Sequence, residues 1–186
     1  MVILQRLINT YTKGRNEMKY KVVKKQYNSG KCIVCGLENQ LGLRAQFYEL
    51  ENGEVVAIFT PIEEHQSYPG RMHGGISSAI LDETIGRAIL AQDENMWGVT
   101  VELTLKYRKP VPLNEVLKVV GRITKDSRRM FEGTGEIILN NGEIAVTAEG
   151  KYIKMPLEKI TGSDFESDEW KMFQSGDEPD EIELLY

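Results

Sequence analysis

Gly74-Gly75-Ile76-Ser77-Ser78-Ala79-Ile80-Leu81-Asp82-Glu83-Thr84-Ile85-Gly86-Arg87-Ala88-Ile89-Leu90 reads as a helix. Its apolar residues at 76, 80, 81, 85, 88 and 89 keep a helical period. Charges are few along it, so it should be mostly buried, and Ser77, Ser78, Ala79 and Gly86 are small enough to let a sheet approach. On the N-terminal side, Phe47–Leu50 and Glu54–Phe59 flank Glu51-Asn52-Gly53, where Asn-Gly supplies the positive φ angles of a tight hairpin. An irregular stretch with two prolines, residues 60–71, joins that hairpin to the helix. On the C-terminal side, Val99, Val101, Leu103, Leu105 and Tyr107 alternate with Thr100, Glu102, Thr104, Lys106 and Arg108, the pattern of a long half-buried strand. Pro110 and Pro112 end it. Val116–Thr124, Phe131–Leu139 and a strand from Ile144 to Tyr152 follow, the last two joined by Asn140-Asn141-Gly142. Antiparallel strands around one buried helix make an α+β fold.

The 186 residues fit one domain, and 41 % hydrophobic with 27 % charged composition supports a true core. A net charge of −5 disfavours an electrostatic grip on nucleic acid. No apolar run is long enough to span a membrane. Gln5 and Arg6 interrupt Met1-Val2-Ile3-Leu4 before a signal-peptide core forms, and two cysteines fit a reduced, cytoplasmic setting. Charge is uneven. Residues 1–27 carry seven Lys/Arg against one Glu, and residues 157–186 carry ten Asp/Glu against two Lys. The expected organisation is a basic extension (1–27), a central domain (28–156) and an acidic tail (157–186). The tail, with Gly176 and Pro179, has the composition of a mobile segment, although Trp170, Phe173 and Leu184-Leu185-Tyr186 offer docking groups. Met18 is a candidate translation start.

Gly70-Arg71-Met72-His73-Gly74-Gly75, with Asp82 nine residues after His73, resembles the active-site segment of hotdog-fold thioesterases of the phenylacetic-acid-degradation (PaaI-like) type. Gly98-Val99-Thr100-Val101-Glu102-Leu103, Tyr107-Arg108-Lys109-Pro110-Val111-Pro112-Leu113 and Cys32-x-x-Cys35-Gly36 with Asn39 and Gly42-Leu43 are also similar to that family. The resemblance covers roughly residues 31–155. It implies a hotdog fold, an antiparallel sheet wrapped around one long central helix. It further implies hydrolysis of an acyl-CoA thioester to a carboxylic acid and free coenzyme A, without metal or organic cofactor. In that scheme the Gly74 N–H is the main oxyanion donor, and His73, counted with the catalytic residues, positions the turn and assists the carbonyl. Asp82 is general base or nucleophile, and the Thr100 hydroxyl holds the attacking water. Gly75 belongs to the substrate-binding turn. Where related enzymes carry Asn or Gln six residues before the histidine, this chain has Ser67, preceded by Gln66; either is a candidate to support the carbonyl.

Gly74 and Asp82 are eight residues apart, about 12 Å along one helix axis. One helix cannot bring both to one thioester carbon, so the active unit is expected to be a homodimer at minimum, with homotetramer open. Several readings stay double. Thr100 fits plain strand alternation as well as catalysis, and Glu83 points about 100° from Asp82 and suits a structural role. His65 reads as loop polarity. Cys32 and Cys35 have zinc-like spacing, but no second ligand pair follows and a tight turn explains them. Arg108, Lys109, Arg122, Lys125, Arg128 and Arg129 form either a solvated rim or a seat for coenzyme A phosphates. The rival functions are a non-catalytic acyl-CoA-binding or regulatory module, motivated by Ser67, and a hotdog dehydratase, against which the His73–Asp82 register speaks.

Overall fold

The computed structural model describes residues 17–161, 170–171 and 178–185. Ten strands occur among them: β1 (Glu17–Lys25), β2 (Asn28–Ser29), β3 (Gln46–Leu50), β4 (Val55–Phe59), β5 (Trp97–Tyr107), β6 (Leu117–Asp126), β7 (Met130–Ile138), β8 (Ile144–Met155), β9 (Trp170–Lys171) and β10 (Glu181–Leu185). Helix α1 (Gly74–Arg87) continues into a 3₁₀ turn, Ala88–Ala91, and α2 (Leu157–Thr161) is a single short turn. Eight strands form one antiparallel sheet in the order β10-β1-β3-β4-β6-β7-β8-β5, and β2 pairs with β9. The sheet wraps α1, as expected of a hotdog fold.

Both hairpins form where Asn-Gly stands, but by a different turn. Only Gly53 (φ 81°) and Gly142 (φ 78°) take the left-handed conformation. Each donates its N–H back across a four-residue turn, to Leu50 and Leu139. Asn52 and Asn141 instead use their side-chain oxygens to accept the N–H of Glu54 and Glu143.

The main core lies between α1 and the sheet, with Phe47, Val55, Ile80, Leu81, Ile85, Leu117, Phe131, Ile137 and Tyr152 among its members. The sheet makes room for the helix through its own glycines more than through the helix's small residues. A Cβ on Gly121 would lie 2.7 Å from the Thr84 carbonyl oxygen, and one on Gly133 2.5 Å from Ile85. A Cβ on Gly86 would meet the edge of the Tyr152 ring at 3.4 Å and the Gly98 carbonyl oxygen at 3.8 Å, ordinary contacts.

The two charged ends meet. Basic β1 pairs with acidic β10, placing Lys19 opposite Glu183 and Lys21 opposite Glu181. Lys25 pairs with Glu178 at 3.1 Å. Ile182 and Leu184 are buried with Tyr48, Leu50, Val56, Val120 and Ile138 in a second cluster. Parts of both extensions thus continue the sheet and cover its outer face. Met18 sits inside β1, and Trp170 pairs by its backbone with Ser29. Residues 1–16, Phe173, Gly176 and Tyr186 lie outside the described residues.

Candidate functional site

The start of α1 is built by two histidines. His65, expected as loop polarity, is buried. Its Nδ1 accepts the Ile62 N–H (3.0 Å), its Nε2 lies 2.9 Å from the Leu41 carbonyl, and its own carbonyl accepts the His73 N–H. That network pins the loop on which His73 sits as N-cap. The His73 Nδ1 accepts the Gly75 N–H at 2.9 Å, leaving the neutral ring's proton on an exposed Nε2. The His73 carbonyl takes the N–H groups of Ile76 and Ser77. Among the described residues, no acceptor reaches the Gly74 N–H. Of the first turn's donors it alone is left to a ligand, where the helix end carries partial positive charge.

Gly74 opens onto a cavity of about 340 Å³, lined in part by Ser67, Arg71, Ser77, Tyr107, Arg108 and Lys109. The Tyr107 hydroxyl donates to the Gly74 carbonyl at 2.9 Å and lies 2.9 Å from Ser78 Oγ. Gln66 and Ser67 now separate. Gln66 Oε1 accepts the Gly70 N–H at 2.9 Å and serves its own loop, whereas Ser67 lines the cavity. Gly75 lends its N–H to His73, so that group is already engaged.

Asp82 lies elsewhere, in a cavity of about 240 Å³ bounded by Cys32, Glu83, Gly86, Arg87, Trp97, Gly98 and Thr100. Thr100 was expected on the polar side of an alternating strand. It reaches the helix instead, because a β-bulge between Thr100 and Glu102 shifts the register against β8. Its hydroxyl lies 2.9 and 3.1 Å from the two Asp82 carboxylate oxygens. The sequence reading missed Tyr152, which stands directly opposite Thr100 across the strand pair and donates to Asp82 Oδ1 at 3.1 Å. It is fully buried and stacks on Phe131 with ring centroids 4.9 Å apart. Burial pushes the Asp82 carboxyl up, the hydrogen bonds from Thr100 and Tyr152 pull it down, and the neighbouring Glu83 charge adds to the rise. Burial, then the Asp82 charge and hydrogen bond, hold the Tyr152 phenol well above its usual range, so it stays a donor.

Glu83 takes the structural part foreseen for it. Its Oε1 accepts from Arg87 Nε at 2.9 Å and lies 2.8 Å from Nη2 in the same ion pair. The buried Arg87 guanidinium also donates to the Tyr27 carbonyl and lies 4.2 Å over the Phe47 ring. Glu83 Oε2 lies 3.3 Å from Cys32 Sγ. The Cys35 hydrogen bond draws the Cys32 thiol down against burial, while the same contact and burial raise Cys35. Of the basic residues singled out, Arg108 and Lys109 reach the Gly74 cavity, and Arg71 joins them. Arg122 is held by Glu54 and, bidentately, by Glu136, and Lys125 by Glu132.

Sheet order, central helix and glycine-fronted helix start define a hotdog protein. Residues 69–146 match the model of the Thioesterase superfamily. It is 27 % identical over 136 residues to acyl-coenzyme A thioesterase THEM4 of Mus musculus, covering 72 % of this chain and 58 % of that protein. The chain thus spans less than two thirds of that relative's length. A solved thioesterase superfamily protein is 31 % identical with a TM-score of 0.60, over 66 % of this chain and 59 % of the other. A thioesterase protein of Streptococcus pneumoniae, solved with coenzyme A, shares the fold at 20 % identity and a TM-score of 0.55, over 60 % and 86 % of the two chains. No helix among the described residues is long and apolar enough to cross a membrane.

Proposed function

We propose that this chain is an acyl-CoA thioesterase of the phenylacetic-acid-degradation type, working as a homodimer with two composite sites. The observation that carries the reading is the unpartnered Gly74 N–H at the start of α1, opening into a cavity with basic residues at its rim. A thioester carbonyl lodged there directs its oxygen at that N–H, with the exposed His73 Nε2–H beside the same turn. Negative charge developing on the oxygen meets a preorganised donor at a helix N-terminus. Asp82, oriented by Thr100 and Tyr152, either takes a proton from a water that adds to the carbonyl carbon or attacks that carbon itself to give an anhydride that water then opens. The thiolate of coenzyme A leaves and is protonated, the acyl group ends as the carboxylic acid, and Arg71 and Arg108 receive the phosphates of coenzyme A.

Gly74 and Asp82 stand at opposite parts of one helix and in separate cavities, so the base must come from a second copy. The free edge of the sheet supports this. β5 is a long terminal strand with Val101 55 % and Tyr107 56 % exposed, and Leu103, Leu105, Ile76 and Ala79 beside it are only partly covered. Antiparallel pairing of two β5 edges satisfies their backbone groups and sets two α1 helices side by side in opposite directions. The named thioesterase relatives and the coenzyme-A-bound structural neighbour support the same substrate class. Two thiols free of a disulfide suit a reducing, cytoplasmic setting.

The test is thiol release from a panel of acyl-CoAs by the full chain, with Asp82→Asn as control. Turnover should fall about 10²-fold or more in the variant, the scale of general-base catalysis. Binding of acyl-CoA without turnover by the wild type would assign the non-catalytic module instead.

A further inference from the structure

We infer that Cys32, Cys35 and Glu83 form a binding site for one thiophilic divalent cation, zinc by its chemistry, on the wall of the Asp82 cavity. The spacing Cys32-Ile33-Val34-Cys35 alone is explained by a tight turn. What changes the reading is the third donor, which α1 brings from nearly fifty residues away. One ligand atom from each of the three side chains lies within 4.8 Å of the others, and Cys32 Sγ stands 3.3 Å from Glu83 Oε2. Zinc bonds of about 2.3 Å to sulfur and 2.0–2.2 Å to oxygen, in a tetrahedron, put ligand atoms about 3.5–3.8 Å apart. The group therefore closes on an ion by side-chain movement alone.

Three further features fit a cation better than a plain turn. Backbone amides already point at both sulfurs: Val34 N–H at Cys32 Sγ (3.3 Å) and Ser29 N–H at Cys35 Sγ (3.4 Å). Such donors stabilise thiolates rather than thiols. The turn that aims them is closed by the Gly36 N–H donating to the Cys32 carbonyl. A Cβ at Gly36 would sit 2.3 Å from that oxygen. Second, Arg87 holds Glu83 by Oε1 only, leaving Oε2 turned to the sulfur, the arrangement by which an outer partner orients a ligating carboxylate. Third, the charges close. Two thiolates and a carboxylate are balanced by a divalent ion together with the Arg87 guanidinium. Two sulfur donors select a borderline-soft ion over calcium or magnesium. Cys32 and Glu83 both border the open cavity, which gives the ion its way in and leaves a fourth position for water. Loading converts two thiols to thiolates and releases two protons to the buffer.

The experiment uses the full chain, reduced, incubated with excess zinc or cobalt(II) and desalted. Metal per chain is measured by mass spectrometry, and the cobalt form by its absorption. The expected result is about one equivalent per chain. Cobalt should give a sulfur-to-metal charge-transfer band that zinc bleaches, and both signals should vanish in Cys32→Ser and fall in Glu83→Gln. Cys32 is only half buried and serine is its isostere, so that variant should fold. The wild-type measurement decides the matter in any case. Retention below about a tenth of an equivalent, a charge-transfer band that survives in Cys32→Ser, or a reduced pair that takes up no metal after isolation as a Cys32–Cys35 disulfide would each overturn the site. None of these readouts depends on thioester hydrolysis.

Discussion

Replacing Gly74 by proline deletes the N–H, puts the ring Cδ in its place, and leaves the helix start otherwise intact. Gly74 is the first residue of α1, the position where helices accept proline because its missing donor has no intrahelical partner. The residue before a proline must be extended, and His73 already is, at φ −65° and ψ 139°. A Cβ at position 74 meets the Tyr107 ring at 3.4–3.5 Å, ordinary contact. The cap bonds from His73 to Gly75, Ile76 and Ser77 are untouched. Gly74→Pro should therefore leave stability within about 1 kcal/mol of the wild type. Thioester hydrolysis should fall by about 10²–10³-fold, the cost of one lost oxyanion donor, 2.7–4 kcal/mol. Acyl-CoA turnover is read by thiol release, stability by urea unfolding. A composite site adds a sharper outcome. Co-assembled with Asp82→Asn at equal amounts, Gly74→Pro forms heterodimers in which one site holds both defects and the other holds neither. Random pairing makes half the dimers mixed, so the mixture should recover about a quarter of wild-type activity from two inactive parents. Full activity in Gly74→Pro alone would remove this N–H from the chemistry. Inactive parents that never complement would place base and oxyanion donor in one chain.

Tyr152→Phe keeps the stack on Phe131 but removes the hydroxyl that reaches Asp82; kcat should drop about 10-fold, the lower range for a hydrogen bond to a charged group, and an unchanged kcat would deny Tyr152 any hold on the carboxylate. Arg71→Ala and Arg108→Ala should each raise KM for acyl-CoA about 10-fold with kcat nearly constant, and neither should affect an acyl-pantetheine substrate that lacks the nucleotide; equal losses on both substrates would dissociate these arginines from phosphate recognition. Gly121→Ala drives a methyl against the Thr84 carbonyl and should lower the urea-unfolding free energy by about 1–3 kcal/mol, whereas no change would mean that the helix shifts freely on the sheet.

The parts of the fold that the sequence shows plainly are those where one local rule dominates. The helical period of residues 74–90 and the two Asn-Gly hairpins are such cases. Strands β1 and β10 are harder to see. Their lysines and glutamates hide the alternation of Tyr20 and Val22, or Ile182 and Leu184, behind what looks like solvated charge. The physical signal was present as complementary charge at the two ends, and strand pairing is what brings those charges together. The His73–Gly74 turn was legible because its chemistry is local. His65 was not, since its partners, the Leu41 carbonyl and the His73 N–H, come from separate loops. The third donor beside Cys32 and Cys35 was invisible for the same reason.

Thr100 shows how one inserted residue can join fold to chemistry. Strict alternation would put Val99 and Val101 on the helix side with Leu103, and Thr100 away from it. The bulge at Val101 reverses the phase once. Gly98 and Thr100 face α1 before it, Leu103, Leu105 and Tyr107 after it, and Val101 is turned out. Phe131, Tyr152 and Thr100 consequently stand in one row across β7, β8 and β5. The aromatic stack fixes Tyr152, and Tyr152 and Thr100 together fix Asp82. Beyond the bulge the same strand sends Tyr107 to the carbonyl of Gly74. A single strand thereby braces α1 at Asp82 and at Gly74, the two groups the proposed chemistry uses, and it does so while lying at the sheet's free edge. In the proposed dimer a second copy docked on that edge presses directly on the groups that hold Asp82 and Gly74, so under that proposal assembly and catalytic geometry are one mechanical problem rather than two.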